Sequence, residues 1–150
     1  MLLDLLLAAA HHLLIFGLVA MLVLESAILR GTVDAAAVRR LAGIDAGYGM
    51  SAGLLLIVGG LRLLYGIKGW QYYLHNPWFH AKFGAFLLVA ALSVVPTLRV
   101  LRWRKALRAD PGFVPAVAEL ARMRGFVRLQ LALIAAIFVL AAAMARYGGF

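Results

Sequence analysis

Residues 5–24 read LLLAAAHHLLIFGLVAMLVL, twenty positions without a formal charge when the two histidines are neutral. A helix of that length covers the roughly 30 Å hydrocarbon core of a bilayer at about 1.5 Å per residue. It is apolar on every face, which suits lipid better than the one-sided core contact of a surface helix. The stretch therefore predicts a first membrane span over about 3–29. Ala8–Ala10 faintly resembles a signal cleavage site. The apolar run continues through it, and Met1-Leu2-Leu3-Asp4 has no basic segment, so the helix is expected to be retained.

Three further stretches have the same character. A second span is predicted over about 45–66, with Arg62 near its end. A third opens at Asn76-Pro77, where Asn can cap and Pro suits the first helical position, and runs to about 101. Pro96 removes a backbone donor and should bend its last turns. A fourth covers about 124–146 and is uncharged from Leu129 to Ala145. Asp110-Pro111-Gly112 marks a turn before it, and Phe113–Met123 is expected to form a short amphipathic helix on the membrane surface. The fold class is all-α, a polytopic four-transmembrane-helix bundle in one domain over residues 1–150.

Composition agrees. Of the 150 residues 65% are hydrophobic and only 14% charged, and the mean hydropathy is +0.97. A soluble domain carries about a quarter of its residues charged. The absence of cysteine excludes disulfides, thiolate metal sites and cysteine-attached haem. There is no repeat of the kind found in inverted-repeat transporters, and no nucleophile–base pair or phosphate-binding glycine loop.

The net charge of +9 sits in loops beside spans, which argues for topology and anionic lipid headgroups and against a nucleic-acid partner. Arg30, Arg39 and Arg40 follow the first span; Arg99, Arg102, Arg104, Lys105, Arg108, Arg122, Arg124 and Arg128 surround the last loop. The other side has Arg62, Lys68, Lys82 and Arg146, with a belt of Tyr65, Trp70, Tyr72, Tyr73, Trp78 and Tyr147. The positive-inside rule makes the first side cytoplasmic. The expected location is a bacterial inner membrane, with both termini outside.

All four histidines fall in the outer half of this arrangement. His11 and His12 lie several turns into the first span, and His75 and His80 bracket the start of the third. Arg62 and Lys82 stand at similar depth. Ionisable residues in a span are costly and usually face the bundle interior, which makes this the default functional site. Asp4, His11, Leu18 and Glu25 recur every seven residues and share one stripe, expected to face inward. His12 is turned by about 100° from His11. Glu25 is expected to pair with a basic residue at the inner ends of the third and fourth spans, and Asp45-x-x-Tyr48 alone carries no assignment. Gly49, Gly53 and Gly60 line one side of the second span, and Gly84 and Ala91 follow His80 on its face. Such small faces allow close helix contact or the approach of a flat ligand.

A haem b would use this constellation. Its iron takes one or two imidazoles, and its propionates need cations near the surface, for which Arg62, Lys68 and Lys82 are placed. The candidate ligands are His11 or His12 on one side and His80 on the other. Two plainer readings stand beside it: histidines hydrogen-bonding across helices, and Arg62 and Lys82 snorkelling to the interface.

His11-His12, the apolar helix carrying Glu25 and Arg30, Gly59-Gly60-Leu61-Arg62 and Asn76-Pro77-Trp78-Phe79-His80-Ala81-Lys82-Phe83 together resemble a group of small bacterial membrane proteins, domain of unknown function 2214. The resemblance covers essentially the whole chain. That group looks distantly similar to the HemJ-type protoporphyrinogen oxidase and to the membrane domain of CopD copper-resistance proteins. Trp78 and Lys82 match a Trp-x-x-x-Lys segment of the former, and His11 or His12 its first-helix histidine. The likeness implies haem b. The chain departs from that pattern in the doubled histidine and in the inner loop.

The expected function is therefore a haem b-binding membrane protein in electron transfer or oxidation of a lipophilic substrate, a quinol or a porphyrinogen. Copper or other metal handling by His11, His12 and His80 is the second class. A small accessory subunit of a respiratory or photosynthetic complex, or a homo-oligomer, is the third.

Overall fold

Each apolar stretch forms one unbroken helix, longer than the span predicted from it. The computed structural model describes residues 2–66 and 69–147. It contains α1 (Leu2–Arg30), α2 (Ala35–Tyr65), a short α3 (Gly69–Leu74), α4 (Pro77–Ala109) and α5 (Val117–Tyr147). The four long helices have the length and apolarity to cross a membrane.

The differences from the predicted spans lie mainly at the basic ends. The Asp34 side chain accepts the Ala37 N–H at 2.8 Å and caps α2 eleven residues ahead of Asp45. Asp45 is thus buried in mid-helix and does not start the helix. α4 continues through the buried Pro96 to Ala109. No separate surface helix precedes the last span, because residues from Val117 onward already belong to α5. The physical reason is common to all three. Charge marks where the hydrocarbon slab ends, but Ala, Leu and Arg continue a helix well into the headgroup layer.

At the other end of α4, Asn76 is buried and its Oδ1 accepts the Trp78 N–H at 3.0 Å, so the predicted cap and N1 proline are both present. The segment before it, read as loop, holds α3; Gly69, its first residue, has φ +70°, a conformation in which glycine carries no steric cost.

α1 packs on α2 and α5, and α4 packs on the same two, so the long helices close into a ring; α3 touches α2 and α4. Large apolar side chains such as Leu13, Phe16 and Val139 are exposed on the outside, as lipid-facing residues must be. The tight interior occupies only one half. Buried positions begin at Leu18 on α1 and Val89 on α4, and end at Leu55 on α2 and Ile134 on α5. All of these lie toward the basic loops.

That half is also clamped by polar contacts. Glu119 pairs with Arg99 and accepts from Trp103 Nε1 at 2.9 Å, with Trp103 buried. Arg124 donates from Nε to the Leu29 carbonyl at 2.6 Å, satisfying a group left open at the end of α1. In the histidine half the long helices contribute no buried residue among the described positions.

The glycines sort differently from expectation. Gly49, Gly53, Gly60 and Gly84 have nothing within 4 Å of a would-be Cβ and do not mediate contact between helices of this chain. Gly47 and Gly59 do, facing Met21 and His11 of α1 respectively.

Candidate functional site

In the histidine half, α1, α2 and α4 each bring one nitrogen-bearing side chain to a shared place. The inward stripe of α1 carries Leu18 and Glu25, both 4% exposed, and one helical repeat earlier it carries His11. The His11 ring lies against Gly59 of α2, its Cε1 3.5 Å and its Nδ1 3.8 Å from where a Cβ would stand. Arg62 follows Gly59 by three residues and so shares its face. Arg62 and Lys82 of α4 are close enough to act electrostatically on the His11 ring, and Arg62 acts on Lys82. Lys82 Nζ also lies 5.8 Å from the Phe79 ring centroid.

Two polar atoms at this place are buried without a hydrogen-bond partner, His11 Nδ1 and Arg62 Nε. Buried polar atoms are nearly always paired, so an orphaned imidazole nitrogen beside an orphaned guanidinium nitrogen is informative. The cluster offers one nitrogen ligand and two cations, suited to a group that combines a Lewis-acid centre with acidic substituents.

The remaining histidines are turned elsewhere. His12 is exposed, and its Nδ1 donates to the Ala8 carbonyl at 2.6 Å. His75 donates from Nδ1 to the Gln71 carbonyl at 2.9 Å. His80 is exposed and donates from Nε2 to the Leu74 carbonyl at 2.8 Å. The structure thus brings together His11, Arg62 and Lys82 of the predicted residues, and places His12 and His80 outside that cluster with a ring nitrogen engaged by local backbone. Lys68 lies outside the described residues. Among the described residues no three His, Asp or Glu side chains gather as a metal site would require.

A second polar group, unassigned from the sequence, occupies the tightly packed half. Asp45 accepts from the Thr97 hydroxyl at 2.8 Å, and the Tyr48 hydroxyl donates to Gln130 Oε1 at 3.0 Å. Ser51 is buried one turn further along α2. Among the described residues Glu25 pairs with no basic residue, contrary to expectation. Its Oε1 has no hydrogen-bond partner, and the charged group that acts on it is Asp45. The arginines expected to serve it are engaged elsewhere, Arg99 by Glu119 and Arg124 by the end of α1.

No match was found among the curated proteins or among the solved structures. The family model described as Predicted membrane protein (DUF2214) matches residues 3–149, so it spans all four helices and both polar groups, and the chain belongs to that family.

Proposed function

We propose that the chain is a haem b-binding protein of the bacterial inner membrane, working in electron transfer or in the oxidation of a lipophilic substrate such as a quinol or a porphyrinogen. The observation that carries this reading is the unpartnered Nδ1 of His11, set beside Arg62 and Lys82 from two other helices. The absence of buried packing residues in that half supports it too, since a flat macrocycle needs helices that are not already interlocked.

His11 would ligate the haem iron through its unpartnered imidazole nitrogen. Arg62 and Lys82 would supply the positive charge that its propionates need. His80 and His12 are not needed, which alters the pair of axial ligands expected from sequence. Bound haem supplies one-electron chemistry that no side chain here can perform. The basic end faces the cytoplasm, and the histidine end with both termini faces outward, on the strength of the positive-inside rule and the aromatic belt.

Absorption spectra of the protein purified in mild detergent, oxidised and reduced, test the proposal. A Soret band is expected that is lost in His11→Ala and kept in His12→Ala and His80→Ala. A preparation that stays colourless after haem supplementation overturns it, and elemental analysis of the same sample reports copper or zinc as the competing occupant.

The outward stripe of Gly49, Gly53 and Gly60 favours a second reading, association with another membrane helix in a homo-oligomer or a larger respiratory or photosynthetic complex. Co-purification in fixed stoichiometry tests it.

A further inference from the structure

Glu25 and Asp45, with Thr97, Tyr48 and Gln130, bring polar side chains from all four long helices into the half of the bundle that the haem reading leaves unused. Glu25 is 4% exposed, Asp45 7% and Gln130 1%. Fourteen residues separate Glu25 from His11 along α1, about 21 Å of helix rise, so the two groups are distinct.

The charges in this group do not balance. Asp45 receives one hydroxyl, from Thr97. Glu25 has an oxygen that is buried and unpartnered, and Asp45 acts on it as a like charge. Tyr48 feels both carboxyls and has committed its proton to Gln130. From α4 and α5 the facing groups are Thr97 and Gln130, which are uncharged; Arg99 and Arg124 are held by Glu119 and the Leu29 carbonyl, and Arg128 is exposed. Two such carboxylates inside a membrane bundle, without a counter-cation among the described residues, carry a heavy desolvation cost. Something positive must share the site.

We propose that Glu25 and Asp45 form an intramembrane binding site for a small monovalent cation, a proton or Na⁺. Thr97 Oγ1 stands 2.8 Å from the Asp45 carboxyl, and Tyr48, within electrostatic reach of both carboxyls, adds a second neutral oxygen to the group. Such a set, oxygen-only and without cysteine or histidine, suits a hard cation. The orphaned Glu25 Oε1 is the acceptor still open, and Asp45, fixed by Thr97, is its counterpart.

The test uses the full-length protein in detergent, with Glu25→Gln, Asp45→Asn and Thr97→Val. Two readouts separate the cations. Infrared difference spectra between acid and alkaline pH report a protonated carboxyl, and thermal midpoints in NaCl against choline chloride at equal ionic strength report Na⁺. If the cation is a proton, wild type shows a titrating carboxylic C=O band that Glu25→Gln removes and Asp45→Asn shifts, with no difference between the salts. If it is Na⁺, NaCl raises the wild-type midpoint by about 2–4 °C over choline, and both carboxyl variants lose the effect. Thr97→Val, which keeps both carboxyls, should weaken either signal without abolishing it. A wild-type protein with neither band nor salt difference overturns the proposal, as does a signal that persists in Glu25→Gln. Both readouts are independent of haem, so this site and the His11 site fail or stand separately.

Discussion

The imidazole of His11 rests on the bare backbone of Gly59, its Cε1 3.5 Å from the point a Cβ would occupy. That separation is ordinary contact for a methyl group and too small for anything larger. Gly59→Ala should therefore hold the midpoint of thermal unfolding or raise it, since Ala is favoured over Gly in a helix by about 0.5–1 kcal/mol. Gly59→Leu should cost about 1–3 kcal/mol by overpacking and displace the ring. Unfolding curves measure the first effect. The Soret intensity per protein measures the second, and a Leu variant with the wild-type spectrum would separate His11 from the haem.

Tyr48 and Gln130 join α2 to α5 through one hydrogen bond between two buried side chains. Tyr48→Phe leaves the Gln130 carbonyl oxygen without its donor and should cost about 1–3 kcal/mol. Gln130→Leu alone strands the tyrosine hydroxyl at a similar cost. The double variant removes both polar ends and should recover part of the loss, so a thermal double-mutant cycle is expected to show coupling of about 0.5–3 kcal/mol. Strict additivity would mean the bond contributes nothing.

Glu119 serves two donors on α4, Arg99 and the indole of the buried Trp103. The part-exposed ion pair contributes little, roughly 0–1 kcal/mol, while a stranded indole N–H costs about 1–3 kcal/mol. Glu119→Gln, which keeps an acceptor, should be milder than Glu119→Ala. Added salt should narrow the gap between wild type and the Gln variant only slightly. Tryptophan fluorescence, reporting the polarity around Trp103, checks the same contact independently.

Between α2 and α4 at the basic end, Arg39, Arg104 and Arg108 rim a recess of about 500 Å³ floored by Ala42, Gly43, Ala46 and Leu107. Each basic residue near a charged leaflet is worth about 1 kcal/mol of attraction. Anionic phosphatidylglycerol added to neutral detergent micelles should raise the unfolding midpoint more than phosphatidylcholine does. Replacing Arg104 and Arg108 by Gln should remove most of that difference while leaving the midpoint in neutral lipid unchanged.

How much of this was legible in the sequence depended on what set each feature. The spans are a matter of solvent, and uncharged runs such as 129–145 reveal them directly. The inward stripe of α1 follows from helical phase, and Leu18 and Glu25 are buried where the seven-residue spacing placed them. Helix ends were harder, because the basic turns of α2, α4 and α5 carry the charge that marks the limit of a span yet stay helical. Rotamers and neighbours were not legible at all. Nothing in the string HNPWFH tells that His80 turns back onto the Leu74 carbonyl, or that Arg99 belongs to Glu119 and leaves Glu25 alone. Gln130 was the overlooked clue: an amide within an apolar span must find a partner, and Tyr48 of α2 is that partner.

The bond from Arg124 to the Leu29 carbonyl also orders the birth of the molecule. The end of α1 emerges from the ribosome nearly a hundred residues before the arginine that completes it. Until the last hairpin inserts, the first has an open carbonyl at the membrane face and half of its seam bare. Nascent chains stalled before α5 should accordingly stay tethered to the insertion machinery or fall to membrane proteases. Arrival of α5 lets the ring shut.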